Sequence, residues 1–252
     1  MRTPIKVLSL LAVFVLAAVP AMADEMVSFK AGYLTLNPKG EFAVFSGGLG
    51  TKVDMEDDLG FDDSEDFMVE AAVQLGDFRL TAGYLPLGFS GSGTLSRTID
   101  FGGQTFNANT KVDSDVDIDL YDVGLTWYLL NFDDLPVRLQ LGPELSVKYV
   151  DADLSMKSTG GNESESLTAP IPTVGLRGRV GLSDFLGLVG RVGYLQYSDN
   201  SFLDADVQLE FSPIPLVGLF AGYRYFDIEV DESDVFLDVT FEGPYGGAFI
   251  RF

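Results

Sequence analysis

The chain has 252 residues, with 16 Lys and Arg against 38 Asp and Glu, for a formal net charge of −22. A field that negative repels nucleic acid and discourages contact with bare anionic lipid. With no Cys and no His, the sequence has no disulfide, no thiolate metal site and no imidazole base.

The first residues predict export. Arg2 and Lys6 form a short positive segment, Val7–Val19 is apolar, and Ala21-Met22-Ala23 is an A-x-A cleavage site. The 13-residue apolar stretch is short of the roughly 20 residues that a spanning helix needs. Residues 1–23 therefore read as a cleaved signal peptide and 24–252 as the mature domain. Removing Arg2 and Lys6 leaves 14 basic residues beside 38 acidic ones.

From Val27 onward the chain alternates with period two, the signature of strands with one apolar face. Val27, Phe29, Ala31 and Tyr33 open the pattern. Phe67–Leu75 and Phe78–Tyr84 follow, joined by the tight Gly76-Asp77 turn. Next come Tyr121–Leu129, Val137–Tyr149, Thr173–Leu182, Leu186–Tyr194, Leu203–Phe211, Leu219–Tyr225 and a last strand ending in Ala248, Ile250 and Phe252. That makes ten segments, each near the length of a tilted membrane strand. Connections alternate short (76–77, 131–136, 183–185, 212–215) and long (37–66, 88–116, 150–168, 197–201, 227–236). The expectation is an all-β, closed antiparallel transmembrane β-barrel of about ten strands. Eight would follow if one hairpin lay outside the membrane.

Three features favour a barrel over a soluble sandwich. First, the polar face carries charges of both signs at mid-strand: Glu70, Arg79, Asp122, Arg138, Glu144, Lys148, Arg177, Arg179, Arg191, Asp206, Glu210, Arg224 and Arg251. In a narrow lumen such charges neutralise each other. Second, Tyr33, Tyr84, Tyr149, Tyr194, Tyr223 and Tyr225 sit at one end of the segments, and Trp127, Phe211 and Phe252 at the other, as two interfacial girdles would. Third, Tyr245, Gly247, Ile250 and Phe252 resemble the C-terminal assembly signal of outer-membrane proteins. With that signal, residues 24–252 resemble the small outer-membrane β-barrel superfamily, the OmpW-like and OmpA-like group. The acidic stretch Thr51–Asp66 also resembles first-loop sequences of that group. The resemblance implies residence in the cell outer membrane, contact with its lipid and lipopolysaccharide, and delivery by the barrel-assembly machinery through the C-terminal strand. A monomer is expected, with no nucleic-acid partner.

Candidate chemistry is sparse. Enzymes of this size class, such as omptin-type proteases and outer-membrane phospholipases, rely on a histidine that this chain lacks. Asp204 and Asp206 share a face but read as lumenal salt-bridge partners. Asp54, Glu56, Asp57, Asp58, Asp62 and Asp63 offer hard oxygen ligands for a divalent cation, yet their spacing misses the EF-hand pattern, and a solvated charge run is the simpler reading. Glycines at 32, 83, 142, 175, 193 and 222 are expected to make room beside lumenal Arg side chains. Leu34, Leu36, Leu85, Leu87, Leu195 and Phe220 lie on or near the inward face. They either line an apolar pocket or pack strand against loop, with packing the favoured reading. No catalytic residue and no cofactor is expected. The function read from this pattern is a non-enzymatic structural or surface-interaction barrel with a charge-filled lumen. The alternative is a narrow channel or transporter for small or hydrophobic solutes.

Overall fold

The computed structural model describes residues 26–45, 50–132, 138–214, 216–233 and 235–252. The signal-peptide assignment and most of the 131–136 connection lie outside the described residues.

Ten long strands build one wall: β1 (Val27–Val44), β2 (Ser64–Leu75), β3 (Phe78–Thr94), β4 (Lys111–Trp127), β5 (Arg138–Ser158), β6 (Gly161–Ser183), β7 (Leu186–Tyr197), β8 (Asn200–Ile214), β9 (Val217–Asp231) and β10 (Val235–Arg251). Each pairs antiparallel with its chain neighbour. β10 then pairs with β1 from Ser28↔Arg251 to Val44↔Val235, so the barrel is closed. Closure satisfies the backbone of the first and last strands without an edge in the ring.

The connections are shorter than their composition suggests. β5 and β6 are joined by Thr159-Gly160 and β7 and β8 by Ser198-Asp199, so the predicted loops at 150–168 and 197–201 are mostly paired strand. The segment at 227–236 is also largely strand, in β9 and β10. Pairing within these hairpins satisfies their backbone groups just as it does lower in the wall. Among the described residues, 50–63 and 95–110 form the substantial connections at this end, and the second carries a small hairpin of Ile99–Phe101 and Gln104–Phe106. At the opposite end, Gly76 has φ +57°, a conformation that the tight β2–β3 turn requires and that glycine adopts without steric cost.

The alternation changes phase within the strands. In β4, Val123, Leu125 and Trp127 face outward and Asp122 and Thr126 inward. One residue further up, Leu120, Val116 and Val112 face inward, while Asp113 and Asp117 are exposed. The same switch falls at Tyr33-Leu34, Tyr84-Leu85, Tyr149-Val150, Tyr194-Leu195 and Tyr225-Phe226. Below each doublet the outer surface is apolar. Above it the outer surface is polar and the interior apolar, as in a water-soluble barrel. The hydrophobic core proper thus sits in the extended half. Leu34, Leu36, Phe42, Leu85, Leu87, Phe89, Phe226 and Phe241 from the wall enclose Val53, Met55, Leu59, Phe61, Leu95, Ile99, Phe101 and Phe106 from the two connections.

Candidate functional site

Below that core the lumen is filled with charge. β7 places Arg191 at the centre, where its guanidinium meets Asp122 at 2.6 Å, Asp204 at 2.8 Å, Asp206 at 3.2 Å and Glu144 at 3.8 Å. Lys148 of β5 reaches Asp204 at 3.0 Å and Asp122 at 3.3 Å. Arg224 of β9 reaches Asp204 at 3.1 Å. The strand register makes these meetings possible. Asp206 is cross-strand from both Arg191 and Arg224, and Asp122 is cross-strand from Lys148. Tyr245 roofs the group, its hydroxyl 3.2 Å from Asp206 and 3.3 Å from Gln208.

A second tier lies nearer the short-turn end. Glu210 contacts Lys30 at 3.0 Å, Arg179 at 3.1 Å and Arg251 at 3.8 Å. Arg177 bridges the tiers, 3.6 Å from Glu144 and 3.7 Å from Glu70. Arg79 donates to Ser28 at 3.1 Å, and Thr126 donates to Glu144 at 2.7 Å. Between the tiers and the apolar core, Met68, Glu70, Thr81, Leu85, Leu120, Asp122, Arg191 and Arg224 line a cavity of about 30 Å³. That admits water but no solute.

The structure gathers every member of the predicted ladder except Arg138. That residue sits exposed at the lower end of β5 and makes no ion pair among the described residues. The lumen also holds Asp204, paired as a lumenal salt-bridge partner, and recruits Lys30 from outside the predicted set. Lys30 alternates with Phe29 and Ala31, a signal already present in the sequence. The predicted use of glycine differs: at none of the six positions would an added Cβ meet an Arg side chain, and at 142 and 175 it would meet the neighbouring strand's backbone. A Cβ at Gly222 would lie 2.6 Å from the Tyr245 ring, and one at Gly32 would lie 2.9 Å from Phe220. Gly32 and Gly222 thus admit aromatic rings. The Leu34, Leu36, Leu85 and Leu87 side chains are buried in the core that the wall and the two connections share, with Leu195 packed against it, whereas Phe220 lies lower, against Tyr245 and under Lys30.

The acidic first connection is engaged with its own chain. Asp54 Oδ1 accepts from the Glu56 and Asp57 amides, and Asp58 accepts from the Asp54 amide and from Arg97. Asp63 accepts from Asn37. Among the described residues no three acidic side chains are grouped to hold a metal ion. Of the C-terminal motif, Ile250 and Phe252 are on the outside, whereas Tyr245 is buried in the lumen.

Two outer surfaces complete the geometry. Tyr33 is cross-strand from Phe67, and Tyr84 from Tyr121, itself opposite Tyr149; Phe67 and Tyr84 meet edge-on at 5.9 Å, and Tyr84 and Tyr121 stack at 4.9 Å, so the five form a continuous ring segment. Phe78 and Trp127, stacked at 6.0 Å, and Phe185 and Phe211 belong to the opposite ring. Between the rings the exposed surface is Leu and Val, with a shallow groove over Ala31, Ala71, Ala82 and Ala248. Above the tyrosines stands a wall of carboxylates. Asp117 faces Asp153 and Asp119 faces Asp151 directly across β4 and β5. Higher up, the hydrogen bond from Ser92 and the nearby Lys111 hold the Asp113 carboxyl below the usual carboxylate range.

A closed ten-strand ring with an apolar outer band between two aromatic rings and a charged lumen decides the class. The fold is that of a bacterial outer-membrane β-barrel. The barrel is similar to the outer-membrane protease OmpT of Escherichia coli, at 13% identity and TM-score 0.56, covering 93% of this chain and 99% of that one. It also aligns with the translocator domain of the autotransporter NalP of Neisseria meningitidis, at 13% identity and TM-score 0.46, covering 92% and 90%. A third alignment is with OprG of Pseudomonas aeruginosa, at 11% identity and TM-score 0.37, covering 92% and 99%. No protein-family model matches the barrel, and no curated protein matches its sequence.

Proposed function

We propose that this barrel is a non-enzymatic outer-membrane protein, a sealed anchor that presents a rigid acidic wall to the outside. The observation that carries the reading is the double seal. Arg191 is surrounded by four carboxylates at mid-lumen, and an apolar core of wall and loop side chains stands above it. Ten strands enclose a narrow interior, and these side chains occupy it. Asp204 and Asp206, which share a strand face, are bound to Arg191, and Asp204 also to Lys148 and Arg224. Carboxylates held this way are structural partners. The missing histidine removes the usual base.

The reading extends to maturation and setting. Cleavage after Ala23 would release 24–252 to the envelope, and Ile250 and Phe252 would present the assembly signal. The aromatic rings would seat the barrel at the two membrane interfaces, and the carboxylate wall would face the lipopolysaccharide headgroups. The barrel acts as a monomer. Planar-bilayer recording tests the seal. The expected result is no stable conductance step and no acceleration of solute uptake by vesicles. Discrete open-channel steps, or faster uptake of small or hydrophobic solutes, would replace this reading with the transporter.

A further inference from the structure

The wall of the barrel is uneven above the tyrosine ring. β6 starts at Gly161, but β7 meets it only from Val174↔Tyr194 downward. Gly161–Thr173 are paired to β5 on one side and to no strand on the other among the described residues. The β5–β6 hairpin therefore stands clear of the shorter β7–β8 hairpin, with one edge open. An open edge is a row of unspent N–H and C=O groups that can template a further strand.

That edge is blunted below and usable above. In an antiparallel strand alternate residues direct their N–H and C=O to opposite neighbours. Proline is tolerated where its missing N–H faces no partner. Pro170 and Pro172 lie within the stretch paired to β5, which puts the even-numbered residues toward the open side. The prolines remove donors at 170 and 172. Asn162, Ser164, Ser166 and Thr168 keep theirs.

The surroundings select the occupant by charge. Glu163 and Glu165 lie on the inner face of β6 beside Gly102 of the small hairpin, and among the described residues neither is in an ion pair. Asp151 and Asp153 stand directly opposite Thr168 and Ser166 on β5, also without a paired cation among the described residues. A second copy of a chain carrying −22 would bring the same charge to this edge. We propose that the Asn162–Thr168 edge binds an extended cationic peptide segment as an added strand. Its backbone would pair with β6, and its Lys or Arg side chains would lie within a Debye length of these carboxylates.

The test uses the purified full barrel in detergent and a fluorescent alternating lysine–valine peptide. Saturable binding is expected. It should weaken by roughly tenfold or more when alternate peptide nitrogens are methylated, because several backbone hydrogen bonds are lost while charge is kept. The Ser164→Pro/Ser166→Pro variant should show the same loss, since its prolines fall in the register already used by Pro170 and Pro172. The methylated-peptide arm uses the unaltered protein, so it stands even if that variant folds poorly. A glutamate–valine peptide should not bind. Three results would overturn the proposal. One is no binding of the lysine peptide. Another is binding indifferent to N-methylation, which would mean charge attraction alone. The third is edge-dependent self-association of the barrel in place of peptide binding.

Discussion

Asp204 is fully buried and touches three cations, Lys148, Arg191 and Arg224, at 2.8 to 3.1 Å. Burying those charges has a desolvation cost that only well-placed partners offset. Asp204→Ala leaves three cations crowded in a dry lumen and should destabilise the barrel by about 3–5 kcal/mol, read by urea unfolding in lipid vesicles. Asp204→Asn keeps acceptor geometry and should cost less. Gly222 marks a different constraint at the same level. Its added Cβ would lie 2.5 Å from the Val207 carbonyl and 2.6 Å from the Tyr245 ring. Gly222→Ala should therefore cost about 1–3 kcal/mol through overpacking, measured the same way. Lumenal residues were legible in the sequence because alternation assigns each to a face. Arg138 was misassigned because alternation gives the face and not the height, and its position at the strand end leaves it in solvent.

The β4–β5 pair shows how one strand serves two solvents. Around Leu120-Tyr121 the apolar face passes from inside to outside, because lipid surrounds the lower half and water the upper. The doublets of aromatic and aliphatic residues record that switch. They were present in the sequence, but each half reads as ordinary alternation on its own. The connections were harder to read. Val53, Met55, Leu59 and Phe61 are spaced through an acidic run, and only the folded barrel supplies the core they enter. Leu59→Ala with Phe101→Ala should make residues 50–61 and 95–110 susceptible to limited proteolysis while the ten-strand barrel survives as a protected fragment. Higher on β4 and β5, Asp117 opposite Asp153 is a like-charge cross-strand pair. Asp153→Asn should stabilise that hairpin by about 0.2–1 kcal/mol, seen as slower amide exchange in 113–119 and 151–157.

At the scale of the molecule, the ring is two barrels end to end. The lower one is inverted for lipid, with charge inside and Leu and Val outside. The upper one is built for water, with an apolar core and a carboxylate skin. Such a body needs a membrane around its lower half, since exposed Leu75, Leu125, Leu145, Val174 and Leu219 would otherwise form an apolar belt in solvent. The strand count and the closure were legible in the sequence. The tall, uneven rim was not, because paired hairpins and polar loops share a composition. The most direct measurement is fractionation of the envelope of cells making the protein, followed by gel migration with and without boiling. The barrel should pellet with the outer membrane and run faster unboiled than boiled. Recovery as a soluble periplasmic protein with one migration position would contradict the account.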